Sequence, residues 1–127
     1  MNLESVAERL ELDGVGWRGS DIFVSHLPTE VERGILLRHS YTGTPIDPEL
    51  PGYRNTRFSV ATRAKTYKEG VDLMWAVINS ITVARVQMTN MDVKLIRART
   101  EPIPFPMSPA GMFEFLVIFE AVYVIVG

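Results

Sequence analysis

Two segments of the chain carry apolar residues at helical spacing. The first opens at Asn2, a favourable N-cap, and stops at Asp13-Gly14. The second opens with Thr66 and Glu69, which have the spacing of a capping box. The apolar faces consist of Leu3, Val6, Ala7 and Leu10 in the first segment and of Val71, Met74, Trp75 and Ile78 in the second. This pattern predicts two amphipathic helices.

Other segments are typical of β-strands, and residues 57–63 show the two-residue alternation of a half-buried strand. They are residues 22–25, 34–41, 57–63, 92–98 and 112–126. Residues 81–91 fit either a helical tail or a further short strand. We therefore predict an α+β fold in a single domain, 1–127, with a mixed or antiparallel sheet of about five strands and two main helices packed chiefly on one face.

The last predicted strand, 112–126, is apolar on both faces apart from Glu114 and Glu120, which indicates cover on both sides. Fully extended it would measure about 50 Å, whereas a compact domain of this size has a diameter of roughly 36 Å. An exposed apolar end, YVIV at 123–126, would favour aggregation of a monomer. We therefore expect this strand to pair or pack against a neighbouring subunit, the alternative being a bulge that folds it back.

Two proline-rich loops connect the predicted elements. The first, Asp47–Arg54 (DPELPGYR), combines two prolines with a glycine and is typical of a shaped turn. The second, Thr100–Gly111, has prolines at 102, 104, 106 and 109 and is typical of an extended segment. It is interpreted either as a projecting contact arm or as a rigid crossover between two strands.

The run DPELPGYR, followed by the Arg57–Arg63 strand and by a helix with Tyr67 and Gly70, resembles the tail terminator proteins of tailed bacteriophages. Some members of this family are called minor capsid proteins. The upstream run GILLRHSYTGTPID, residues 34–47, fits the same family, so the resemblance covers residues 34–82.

The resemblance implies a structural virion protein that forms a ring, a hexamer, on the head-proximal end of the tail tube. Such a ring stops tube polymerisation and provides the head–tail joining surface. Its partners would be copies of itself, the tail tube protein and a head-completion or neck protein, with DNA close by in the lumen and no membrane. It would be assembled in the bacterial cytoplasm and reside in the virion tail or neck. The alternatives are another neck or head–tail connector protein and, more remotely, a small cytosolic ligand-binding domain or enzyme.

The candidate assembly contacts lie in the two loops and near the end of the last strand. They are Asp47, Pro48, Glu49, Leu50, Pro51, Tyr53 and Arg54; Pro102, Pro104, Phe105, Pro106 and Met107; and Tyr123 and Ile125. Arg54, Arg57 and Arg63 are candidates for charges that face DNA in a lumen or, as we favour, pair with acids on the same sheet or across a subunit boundary. The helix faces are expected to support lateral packing.

The amino-acid composition argues against several classes of protein and kinds of site. A net charge of −2 and a pI near 5.7 argue against a free-standing nucleic-acid binder. The absence of cysteine removes disulfides, thiol nucleophiles and thiolate-bound zinc. Asp47 and Glu49 are interpreted as turn formers or interface contacts rather than as an acid and a base. We therefore expect no enzymatic activity, no cofactor and no metal, and neither a signal peptide nor a membrane span.

Overall fold

A computed structural model of the protein describes residues 1–28, 31–40, 43–105 and 111–126. It contains two helices, α1 (Leu3–Leu12) and α2 (Tyr67–Ile81). The strands are β1 (Ile22–Val24), β2 (Gly34–His39), β3 (Tyr53–Ala64), β4 (Val83–Met88), β5 (Met91–Ala98), β6 (Ile103–Pro104) and β7 (Phe113–Ile125). The predicted α+β class is confirmed. The sheet has seven strands because residues 83–88 and 103–104 also pair.

The strands form one mixed sheet in the order β1-β2-β3-β7-β5-β4, with β6 pairing β7 beyond the end of β5. Only the β1–β2 pair among these is parallel. β3 and β7 form the longest ladder, which runs without a register shift from Tyr53 opposite Val124 to Ala64 opposite Phe113. β3 therefore begins four residues before the predicted strand, directly after Gly52.

Both helices lie on one face of the sheet, where the hydrophobic core forms. Alternate residues of the two central strands point into this core, and their burial removes the large aromatic side chains Phe58, Phe115 and Phe119 from solvent. The Phe58 and Phe119 rings stack at 5.3 Å. Helix α1 is tied to α2 by a hydrogen bond of 2.6 Å from the Ser80 hydroxyl to the Asp13 carboxylate.

The helix caps form at the predicted residues. The Asn2 side chain accepts a hydrogen bond from the Ser5 amide, and the Thr66 hydroxyl accepts one from the Glu69 amide at 3.2 Å. The Glu69 carboxylate lies 3.7 Å from Arg33 of the segment before β2. One half of the predicted capping box is therefore present, while the carboxylate of Glu69 pairs with a distant part of the chain.

The apolar face of α2 is rotated relative to the sequence prediction. Trp75, which was placed in the apolar stripe, is 43% exposed, and Val71 is half-buried. The buried positions are Gly70, Leu73, Met74, Val77, Ile78 and Ile81, again at helical spacing. The reason is Gly70: the Phe115 ring occupies the place that a Cβ of residue 70 would take, so this side of the helix lies closest to the sheet.

The expectation that β7 pairs with a neighbouring subunit is wrong. One edge of β7 pairs with β3 along twelve residues, and the other pairs with β5 and β6. The alternative of a bulge that folds β7 back is absent from its ladder with β3 as well. The comparison of the strand length with the diameter of a compact sphere gave the wrong result. β3 is nearly as long as β7 and pairs with it over twelve residues, so the long strand is accommodated within the sheet. Packing of one face of β7 against another subunit is not affected by this correction.

Candidate assembly interface

The face of the sheet opposite the helices carries no covering element among the described residues. We call it the open face, and it is formed at its centre by Arg57, Ser59 and Ala61 of β3 and by Leu116, Ile118 and Glu120 of β7. These side chains alternate with the core residues along each strand. Leu116 and Ile118, together with Val122 and Val124 further along β7, are half-buried by their neighbours on the strands rather than by a second layer.

An apolar groove of about 390 Å³ lies on the open face. Its apolar lining includes Leu36 of β2, Ala61, Leu116 and Ile118 on the central strands, and Phe105, which follows β6. Phe105 is 43% exposed. Apolar side chains gathered in this way on a solvent-facing surface favour contact with another apolar surface.

Two arginines contact one carboxylate beside the groove, and a third lies on the neighbouring strand. Glu120 lies opposite Arg57 in the β3–β7 ladder, and its carboxylate is 3.3 Å from Arg97 and 2.8 Å from Arg99. The Glu120 side chain is 15% exposed, whereas the Arg97 side chain is 53% exposed. One carboxylate balances one of the three positive charges, so this part of the open face is electropositive. We call Arg57, Arg97 and Arg99 the arginine cluster.

The side chains of Arg63 and Arg54, by contrast, form their contacts within the same chain. The Arg63 guanidinium lies 3.3 Å from the Glu114 carboxylate and donates to the backbone carbonyls of Pro28 and Val31 at 3.0 and 3.2 Å. It therefore fastens the segment before β2 to the two central strands. Arg54 donates to the carbonyls of Pro51 and Tyr53. The favoured pairing with acids on the same sheet thus holds for Arg63, while no acid of the described ranges lies within ion-pair distance of Arg57.

The loop Asp47–Arg54 is shaped by its own hydrogen bonds. The Asp47 carboxylate accepts from the Glu49 amide at 2.9 Å, and its carbonyl accepts from the Leu50 amide at 3.1 Å. The Leu50 carbonyl in turn accepts from the Tyr53 amide at 2.9 Å. Asp47 is thus a turn former, as predicted. Residues 47–51 are exposed, Leu50 to 56%, and Tyr53 and Arg54 are half-buried at the start of β3.

The described part of the second loop follows the crossover interpretation. Ile103 and Pro104 pair with Leu116 and Phe115 of β7, and the Phe105 amide donates to the Glu114 carbonyl at 2.9 Å. Residues 103–105 are exposed and Pro102 is half-buried. The predicted contact residues Pro106 and Met107 lie outside the described residues.

The two candidates near the end of β7 differ. Ile125 is 46% exposed, whereas Tyr123 is 1% exposed because it points into the core on the helix side. Burial raises the pKa of the Tyr123 hydroxyl, and its hydrogen bond with Thr44 acts in the opposite direction. Tyr123 therefore fastens Thr44, which precedes the first loop, to the sheet and presents no surface to a partner.

Sequence reasoning missed the groove and the arginines of β5 and the following turn. The available signal was the second apolar face of β7, which includes Leu116 and Ile118. The sequence shows that this face is apolar, but the prediction covered it with a neighbouring subunit that pairs or packs against the strand. Arg97 and Arg99 come within reach of Glu120 only through the β5–β7 register, which sequence spacing does not reveal.

No group of three or more metal-ligating side chains is found within the described ranges, and none of the helices described is long and apolar enough to cross a membrane. Both His26 and His39 are exposed. Partial burial, with a lesser contribution from the chain's amino terminus, lowers the pKa of His39.

Comparison with known proteins identifies the family. A family model described as Bacteriophage tail terminator protein matches residues 9–125, from within α1 to the end of β7. Among solved structures, a chain in the virion of a native gene transfer agent particle shares the fold with a TM-score of 0.74 and 12% identity, over 97% of this chain and 94% of that chain. Comparison with curated protein sequences finds no match. Since the family model covers nearly the whole chain, this protein belongs to the bacteriophage tail terminator family, whose members are structural proteins of the virion tail.

Proposed function

We propose that the chain assembles into a hexameric ring on the head-proximal end of the phage tail tube, where it stops tube polymerisation and offers the head–tail joining surface. Membership of the tail terminator family supports the position at the end of the tail. The ring itself is our inference.

The observation that carries the ring is the open face. The sheet has two helices on one side and an apolar groove beside the arginine cluster on the other, so a second protein surface of matching character can cover it. A ring on a tube needs two different contacts, one between neighbouring copies and one along the axis to the tube protein. The exposed residues of Asp47–Pro51 and of Ile103–Phe105 are the candidates for these contacts, with the exposed side of α2 supporting lateral packing.

The sheet edges favour contacts through faces and loops rather than through added strands. β1 is three residues long, and β4 contains Arg85 with a positive φ of 57°, which interrupts its extended backbone. Short and irregular edge strands disfavour pairing with another chain. Lateral association of sheets edge to edge is therefore not the arrangement that we propose.

Electron microscopy of mixtures with purified tail tubes and with portal-bearing heads tests the proposed function. We expect the protein to bind one end of each tube and to limit tube length when it is added to polymerising tube protein. Binding to heads with no binding to tubes would instead assign the chain to the neck or connector proteins, and binding to neither would contradict a structural role at the head–tail junction.

A further inference from the structure

We propose that the loop Asp47–Pro51 of one subunit docks on the open face of the next, with its carboxylates against the arginine cluster and Leu50 in the apolar groove. This contact rests on the proposed ring and assigns its lateral interface to particular residues. The occupant of the groove is thus a second copy of this chain.

The arginine cluster supplies one half of the contact. Arg97 and Arg99 share the Glu120 carboxylate, and Arg57 lies opposite Glu120 without an ion pair among the described residues, so the combined charge of the three arginines exceeds that of the carboxylate. Arg57 is exposed and lines the groove directly. Guanidinium groups in such a position favour a carboxylate ligand, to which they can donate two parallel hydrogen bonds.

The loop supplies the complementary half. Asp47 and Glu49 are exposed and form no ion pair within the part of the chain that the structure describes. Leu50, between Glu49 and Pro51, exposes 56% of its surface and gives the loop an apolar tip. The two prolines and the hydrogen bonds that Asp47 accepts from the Glu49 and Leu50 amides fix the loop conformation, so little conformational freedom is lost when the loop docks.

The two halves lie apart on one subunit, as a head-to-tail contact requires. The loop ends where β3 begins at Tyr53, whereas the groove is centred on Ser59 and Ala61 further along the same strand. From Tyr53, four steps of extended strand, about 13 Å, reach Arg57, and eight steps, about 26 Å, reach Ala61. Each copy therefore offers the loop at the start of β3 and the groove near the middle of that strand, and a repeated contact of this type closes into a ring when the rotation is suitable.

The groove favours a protein over nucleic acid as the occupant. Leu36, Leu116, Ile118 and Phe105 provide apolar surface beside Arg38 and Arg57, whereas the lining of a nucleic-acid site would be expected to be mainly basic. The chain as a whole carries a net charge of −2. A loop that combines two carboxylates with a leucine matches both parts of the groove.

Cysteine cross-linking tests the contact cleanly because the chain contains no cysteine of its own. Glu49→Cys and Arg57→Cys chains are prepared separately, mixed, and treated with a short bis-maleimide, both free and bound to tail tubes. We expect the mixture to give a covalent dimer in at least tenfold excess over either variant alone. The matched control mixes Glu49→Cys with Glu8→Cys, an exposed position on α1 on the other side of the sheet, and should give background cross-linking.

Charge reversal gives an independent readout. Glu49→Arg and Arg57→Glu should each raise the apparent dissociation constant of the assembly about tenfold, and the double variant should recover most of the lost affinity.

Three outcomes would contradict the contact. Rings that form without a 49–57 cross-link, and with unchanged affinity in both charge-reversal variants, would overturn the contact while leaving the proposed ring intact. A protein that is monomeric both in solution and in the presence of tail tubes would overturn the ring as well. Retention of double-stranded DNA that disappears in Arg57→Glu, with no cross-link, would assign the arginines to nucleic acid and overturn the docking.

Discussion

Substitution of Gly70 by alanine tests how closely α2 packs on the sheet. In most helices this change stabilises the protein by up to about 1 kcal/mol, because glycine is a poor helix former. Here an added Cβ would lie 2.6 Å from Cε2 and 2.9 Å from Cδ2 of the Phe115 ring. Carbon atoms in favourable contact are about 3.5–4.0 Å apart, so the overlap is close to 1 Å.

The Phe115 ring has little room to move away. Its side chain is 1% exposed and packs edge-on against the Tyr67 ring, with the centroids 5.1 Å apart. Overpacking a core typically costs about 1–3 kcal/mol, and overlap with two ring atoms favours the upper end of that range. After subtraction of the gain in helix propensity, we expect Gly70→Ala to lower the free energy of unfolding by about 2 kcal/mol, or Tm by roughly 6–10 °C.

Urea and thermal unfolding at one fixed protein concentration measure this effect. Gly52→Ala is the matched control, because a Cβ there meets Val124 at an ordinary 3.6 Å, and its free energy of unfolding should change little. Phe115→Leu in both backgrounds completes a double-mutant cycle, which should give a coupling energy of about 1 kcal/mol or more between positions 70 and 115. If Gly70→Ala stabilises the protein by the helix-propensity term alone, the close approach of α2 to β7 is wrong.

Three further substitutions separate internal contacts from surface contacts. Arg63→Met should lower the free energy of unfolding, measured in urea, by about 1–3 kcal/mol, because it leaves the partly buried Glu114 without its partner and two carbonyls without a donor. The control Arg33→Met removes an exposed ion pair and should change the free energy of unfolding by less than about 0.5 kcal/mol. Equal losses for the two would contradict this assignment. Thr66→Ala should cost about 1 kcal/mol through loss of the α2 cap, whereas a serine there should be nearly neutral by the same measurement. Tyr53→Ala should weaken ring formation in light scattering, and unchanged assembly together with unchanged tube binding would remove this end of the loop from the interface.

The elements of the fold could be predicted from the sequence where local signals agree. Asn2 and Thr66 cap the two helices because each places an oxygen near an orphan amide, a relation that depends only on neighbouring residues. The alternation of apolar residues likewise located the principal strands. The length of β3 was underestimated because Tyr53–Thr56 follow a proline-glycine turn and carry mixed polarity, yet the β7 partner extends the ladder to Tyr53.

The orientation of α2 and the pairing of β7 depend on contacts between residues that are distant in sequence. Trp75 fits the apolar stripe by spacing, but the close approach of Gly70 to Phe115 decides which side of the helix meets the sheet. The length of β7 suggested a strand that leaves the domain, whereas its pairing along both edges depends on β3, β5 and β6. Sequence periodicity reports that a face is apolar but does not identify what covers it.

Of the candidate site, the part that depends on neighbouring residues could be predicted, and the part that depends on distant contacts could not. The loop Asp47–Arg54 was recognisable from its prolines, glycine and acids, and Asp47 does form the turn. The electropositive surface could not be predicted, because Arg97 and Arg99 contact Glu120, and Arg57 comes to lie opposite it, only when three segments meet. Tyr123 was misplaced by a single position in the alternation, since its neighbours on β7 face the open side.

The absolute mass of the protein, measured by light scattering at several concentrations with negative-stain images of the same samples, tests the ring most directly. We expect a particle of about six times the 14.3 kDa chain mass, with a central hole, either free or at the end of tail tubes. A single chain under both conditions, with no ring at the tube end, would contradict it.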